Sequence, residues 1–118
     1  MSESIIKKKS FELSVSGIKF YKSLVLNNKE FVMSKQFLRS VTSVGANVRE
    51  AVNAQSKSDF IHKLSISQKE CDETMYWLEL LRETDYISKD EFKEIYPKCE
   101  EVLKIIRSII ITTKKNNS

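Results

Sequence analysis

The chain has 118 residues with a formal net charge of +4; 41% are hydrophobic, 31% charged, and only two are glycine and one proline. So few breakers exclude an all-β sandwich or barrel and predict one domain of long helices. No stretch approaches the roughly 20 apolar residues of a membrane span. No apolar run follows Lys7-Lys8-Lys9, which argues against a signal peptide. The expectation is a soluble, cytoplasmic protein with no membrane partner.

In chain order, residues 1–8 read as a basic N-terminal tail, 9–115 as one helical domain and 116–118 as a C-terminal tail. The first helix is predicted from about Ser10 to Asn27. Phe11, Val15, Ile18 and Val25 lie along one side, with Leu13, Phe20 and Leu24 beside them. Ser34 is the expected cap of a second helix that ends near Asn53 and buries Phe37, Val41, Val44, Val48 and Ala51. Ser56-Lys57-Ser58-Asp59 signals the start of a third, running to about Thr84 with Ile61, Leu64, Gln68, Cys71, Met75, Leu78 and Arg82 on its seam. Ser88-Lys89-Asp90-Glu91 is a capping box for a fourth, whose seam is Phe92, Ile95, Cys99, Val102, Ile106 and Ile109. Pro97 predicts a kink there, or a short segment before the main helix. Four helices with short connections and seams spaced by three and four residues predict an all-α, antiparallel up-down-up-down four-helix bundle.

The stretch RSVTSVGANVREAVNA, residues 39–54, is unusual for an exposed helix face. Ser40, Ser43, Asn47, Glu50 and Ala54 recur at three and four residues beside the apolar seam, and Gly45 sits mid-helix at a cost of about 1 kcal/mol relative to alanine. Small residues in that register allow close approach, so the second helix is expected to have two packed neighbours. On the third helix, Ile66, Trp77 and Leu80 lie roughly opposite the seam. They are either an interface between copies or a surface covered by the first helix. Candidate oligomer-interface residues are therefore Ser43, Asn47, Glu50, Ile66, Trp77 and Leu80.

Charge is segregated. Residues 1–49 carry a net +6, residues 50–101 a net −6 and residues 102–118 a net +4. Lys7, Lys8, Lys9, Lys19, Lys22, Lys29, Lys35 and Arg39 are candidates for contacting nucleic-acid phosphates, with Lys114 and Lys115 as neighbours. No base-reading motif accompanies them, so binding would be backbone electrostatics. Enzyme chemistry is not supported. His62 is the only histidine, so a di-iron site built on Glu-x-x-His pairs cannot be assembled, and no metal or cofactor is expected. There is no phosphate-cradling glycine loop, no second histidine for a triad and no reason to expect a small-molecule substrate. Cys71 and Cys99 fall at similar heights on facing seams and read as reduced core thiols.

Three segments carry a resemblance: QFLRSVTSVGANVREA (36–51), QSKSDFIHKL (55–64) and KECDETMYWL (69–78). With Lys9-Ser10-Phe11 and Glu30–Lys35, they make nearly the whole chain resemble the 23S rRNA-intervening-sequence, or S23, family of four-helix-bundle proteins. The resemblance implies a left-handed antiparallel bundle assembling into a ring, commonly a homopentamer, with no established enzymatic activity. Some members are encoded inside insertions in 23S rRNA genes, which implies a link to RNA. The outline is also similar to the basic accessory protein of diversity-generating retroelements, which binds nucleic acid and a reverse transcriptase. The family signature falls on Ser43, Gly45, Asn47, Glu50, Ser56, Asp59, Phe60, Glu70, Glu73 and Trp77, read as packing, capping and assembly positions. Arg49 departs from it, standing where a small or apolar residue is frequent. Two function classes stay open: a nucleic-acid-binding oligomer, and an oligomeric scaffold for another protein.

Overall fold

A computed structural model describes residues 2–116. Helix α1 spans Ser2–Ser23 and runs into a π-helical turn, Leu24–Asn28; α2 spans Met33–Val52, α3 Lys57–Glu83 and α4 Lys89–Lys115. The helices form an antiparallel four-helix bundle, a rod of 50 × 20 × 19 Å. Each packs on its sequence neighbours and α4 returns to α1, so α1 stands diagonally opposite α3; the α2–α3 interface is the most extensive and α1–α4 the least.

The segment expected as a basic tail is instead, from Ser2 onward, the first two turns of α1. Ile6 is the reason, since its side chain is buried in the core. Register on α1 also differs from the expectation. The core receives Ile6, Leu13, Gly17 and Leu24, with Phe20 packed on Phe37 at 5.3 Å between ring centroids, whereas Phe11, Val15 and Ile18 stay exposed. Both stripes have helical spacing. The core took the one containing Gly17 because a Cβ there would lie 2.7 and 2.8 Å from the two Val41 methyls, so only glycine permits this approach of α1 to α2. At the other end Asn116 follows the last helical residue as its cap, and the remainder of the short C-terminal tail lies outside the described residues.

Helix α2 begins differently from the expectation as well. Ser34 lies inside its first turn, and Glu30 caps it: this buried carboxylate accepts from the amides of Val32 (3.1 Å), Met33 (3.0 Å) and Ser34 (2.6 Å). One anion thus satisfies three of the four amides a helix start leaves unpaired and sits at the positive end of the helix. The Ser34 hydroxyl donates to the Glu30 carbonyl at 2.7 Å, fixing the turn. The other two caps match expectation. Ser56 accepts from the Asp59 amide, and Ser88 and Glu91 close a reciprocal box.

All five predicted core residues of α2 are buried, as are Leu64, Cys71 and Leu78 on α3 and Ile95, Cys99, Val102, Ile106 and Ile109 on α4. Ser40, Ser67 and Thr74 join them because each finds a hydrogen bond. The Ser67 hydroxyl donates to the Val44 carbonyl at 2.8 Å, and the Thr74 hydroxyl lies 2.9 Å from Ser40 Oγ. Small hydroxylated residues therefore replace bulky ones where α2 and α3 press together. Helix α4 passes through Pro97 uninterrupted, so no separate segment precedes it; the proline is exposed, leaving the carbonyl one turn back open to solvent.

Candidate nucleic-acid interface and neighbouring surfaces

Lys7, Lys8, Lys19, Lys22, Lys29 and Lys35 are all exposed, and none has an ion-pair partner among the described residues. Lys8, Val15, Lys19 and Lys22 share the side of α1 turned away from the core, so Lys8 and Lys22 stand about 21 Å apart along one straight helix. The antiparallel path sets the start of α1 and the end of α4 at the same end of the rod, which brings Lys114 and Lys115 to the end that carries Lys7 and Lys8. Lys29 holds a left-handed backbone (φ 52°) just beyond the π turn, with its side chain in solvent.

Two predicted cations are engaged. Lys9 pairs with Glu101 of α4 at 3.4 Å. Arg39 is clasped by two carboxylates of α3: its guanidinium reaches Glu70 at 3.3 Å and bonds to Glu73. Its pKa is pushed further up by those bonds, Glu73 first. Glu73 in turn lies below the usual carboxylate range, chiefly because the Trp77 indole donates to it at 3.1 Å and then because of Arg39. Arg39 thus acts as an α2–α3 tie, and two neighbouring carboxylates oppose a phosphate there. Residue spacing alone did not reveal this; the i, i+3 acids Glu70 and Glu73 opposite Arg39 were the available signal.

The assembly candidates divide in the same way. Glu50 forms an ion pair with Lys63 at 2.8 Å, and the half-buried Asn47 donates to the Ser43 carbonyl at 2.9 Å. The small-residue line therefore borders α3 of its own chain, with Ser40 sealed inside, while Gly45 closes on α1 from the other flank. Helix two does have two packed neighbours, both within the chain. Ile66, Trp77 and Leu80 are half-buried, Tyr76 beside them is exposed, and α1 does not cover them because it lies across the bundle. The Tyr76 and Trp77 rings meet edge-on at 5.3 Å.

A shallow groove of about 470 Å³ runs between α1 and α2. Ser10, Phe11, Ser14, Thr42, Gly45 and Ala46 line it, with Lys7, Arg49 and Glu50 at its edge. No group of three or more His, Cys, Asp or Glu side chains is placed to hold a metal among the described residues. Burial pushes the Cys71 thiol up to about 12 and raises Cys99 as well; Cys71 donates to the Cys99 carbonyl at 3.3 Å. Both cysteines are free, which is core thiol chemistry. No described helix is long and apolar enough to cross a membrane.

A crystal structure of a protein of unknown function from the S23 ribosomal protein family of Bacteroides thetaiotaomicron superposes with a TM-score of 0.91. It shares 52% identity over 93% of this chain and 98% of that one. No curated protein matches the chain. The sequence profile of the 23S rRNA-intervening sequence protein family matches residues 2–108. Fold, register and sequence agree, and the chain belongs to the 23S rRNA-intervening sequence protein family.

Proposed function

We propose that this protein is a non-enzymatic, cytoplasmic, self-associating bundle that binds structured RNA or other nucleic acid by its phosphates. The observation that carries the reading is the set of six exposed lysines on α1, the α1–α2 connection and α2, none of them ion-paired among the residues whose side chains are described. Lysines fixed along a rigid helix release phosphate counterions without folding cost, and repetition of the array in an oligomer, commonly a pentamer in this family, multiplies weak contacts. Recognition is of backbone charge, with little base preference. The family's name gives independent support for an RNA partner.

Fluorescence anisotropy of a labelled structured RNA, titrated from low to physiological salt, tests this. The expected result is submicromolar binding with a log-log salt slope reporting several released ions. Binding confined to low salt overturns the reading.

A scaffold for a different protein is the second reading. The apolar stripe Phe11, Val15 and Ile18, set among the same lysines, favours it, because phosphate binding gives no role to those side chains.

A further inference from the structure

Phe11, an aromatic that helical spacing would bury, faces solvent on α1. It is 58% exposed, and Val15 and Ile18 continue its line for two helical turns at 37% and 39%. Lys8, Lys19 and Lys22 border this line, and Lys7 stands one turn before Phe11 on the groove side. Arg49 of α2 adds a second cation at the same end of the groove, because the two helices run antiparallel. Neither Lys7 nor Arg49 is ion-paired among the residues whose side chains are described. The groove lining includes one carboxylate, Glu50, and Lys63 holds it at 2.8 Å. Glu12, the acid next to Phe11, lines a different depression between α1 and α4. The volume of about 470 Å³ falls within the roughly 300–1,000 Å³ of small-ligand clefts. On the floor, the Ser14 hydroxyl donates to the Ser10 carbonyl (3.1 Å) and the Thr42 hydroxyl to the Leu38 carbonyl (2.8 Å), so both offer a ligand lone pairs but no proton.

We propose that Phe11 is a stacking platform for an unpaired base, so that the protein takes hold of single-stranded segments, such as the loops, bulges and ends of a structured RNA, with Lys7, Lys8 and Arg49 on the flanking phosphates. This rests on the phosphate-binding function proposed above and names its substrate. A duplex keeps its base faces stacked on one another. It meets the lysines, but leaves the Phe11 ring, Val15 and Ile18 against its sugar-phosphate edge. A single strand matches both features: its phosphates meet the cations, and its bare base faces cover the apolar line. Stacking accepts any base, because every base has a π-face. Acceptors without donors on the groove floor discriminate only weakly among base edges, which agrees with recognition that has little base preference.

Two probes and two substitutions test this. The probes are an unstructured single-stranded RNA carrying a fluorescent adenine analogue and a blunt RNA duplex of the same length. Anisotropy reads affinity for each, and the analogue's emission reads stacking. Phe11→Leu keeps an apolar side chain without a π-face, Phe11→Trp enlarges that face, and circular dichroism verifies that both retain the bundle. The expected result is that wild-type protein quenches the analogue. Phe11→Leu loses the quenching and about tenfold in single-strand affinity, Phe11→Trp keeps both, and duplex affinity and salt slope stay at wild-type values. Lys8→Ala, by contrast, weakens binding to both probes. A Phe11→Leu loss that is equal on the two probes, no loss on either, or an unquenched analogue in the wild-type complex overturns the stacking role and leaves the phosphate reading standing. Failure of wild-type protein to bind either probe at physiological salt overturns both. A changed sedimentation rate of RNA-free Phe11→Leu protein assigns the side chain to a protein contact and also overturns the proposal.

Discussion

Val41 occupies the space that a side chain at residue 17 would need: its two methyls lie 2.7 and 2.8 Å from where a Cβ on Gly17 would stand. Both positions are buried in the middle of the α1–α2 contact. Gly17→Ala gains up to about 1 kcal/mol in helix propensity but forces apart two helices whose neighbours cannot yield. The expected net effect is a loss of about 1–3 kcal/mol, measured by urea denaturation. Gly17→Ala with Val41→Ala recovers part of that loss by making room, although the second change removes buried methyls.

Removing the Glu30 carboxylate strands three amides at the start of α2. Glu30→Ala is expected to lower stability by about 1–3 kcal/mol, more than a surface glutamate elsewhere. Glu30→Gln keeps an acceptor and loses less. Amide hydrogen exchange in residues 32–34 shows the effect locally, as faster exchange than in wild type.

Arg39 and the free lysines are expected to behave oppositely toward RNA. Lys8→Ala and Lys22→Ala each lower affinity and reduce the salt slope by about one ion. Arg39→Ala leaves affinity within about twofold, because its guanidinium already belongs to Glu70 and Glu73. An Arg39→Ala loss equal to that of Lys8→Ala contradicts the intrachain assignment.

Acid weakens this clasp in a defined direction. The Glu73 carboxyl lies below its unfolded value, so its stabilising contribution is complete above about pH 4.3 and disappears as pH falls through the lower, folded value. Glu73→Gln is expected to destabilise by less than about 1 kcal/mol at pH 7, because the pair is substantially solvated. The difference from wild type should shrink as pH falls below about 4.3 and vanish once the folded carboxyl is protonated, in paired thermal melts.

Cys71 and Cys99 should resist alkylation. Both are buried with raised pKa values, so iodoacetamide at pH 8 modifies neither in native protein and both in denaturant. Fast labelling of either in the native state contradicts the burial described.

The sequence made the helices legible, because their start signals are local. Ser56 and Ser88-Glu91 act within a single turn, and the seams of α2 and α4 repeat without competition. Helix α1 was ambiguous for a physical reason. It carries two apolar stripes, and the choice between them rests on Gly17 fitting Val41, a contact 24 residues apart that spacing does not encode. Glu30 was missed because a cap that reaches from outside the helix resembles any loop glutamate. Free lysines were readable as free only once their neighbours were placed, and the same placement removed Arg39 from the set and tied Lys9 to Glu101.

The order in which the helices pack has a kinetic consequence. Three of the four interhelix interfaces join consecutive helices, and the fourth, α1 against α4, is the least extensive. Loop closure is therefore cheap for nearly every contact, as expected for a bundle that folds in microseconds to milliseconds. On a ribosome, α1, α2 and α3 emerge with most of their mutual contacts already available, and α4 docks last onto a surface that is waiting for it.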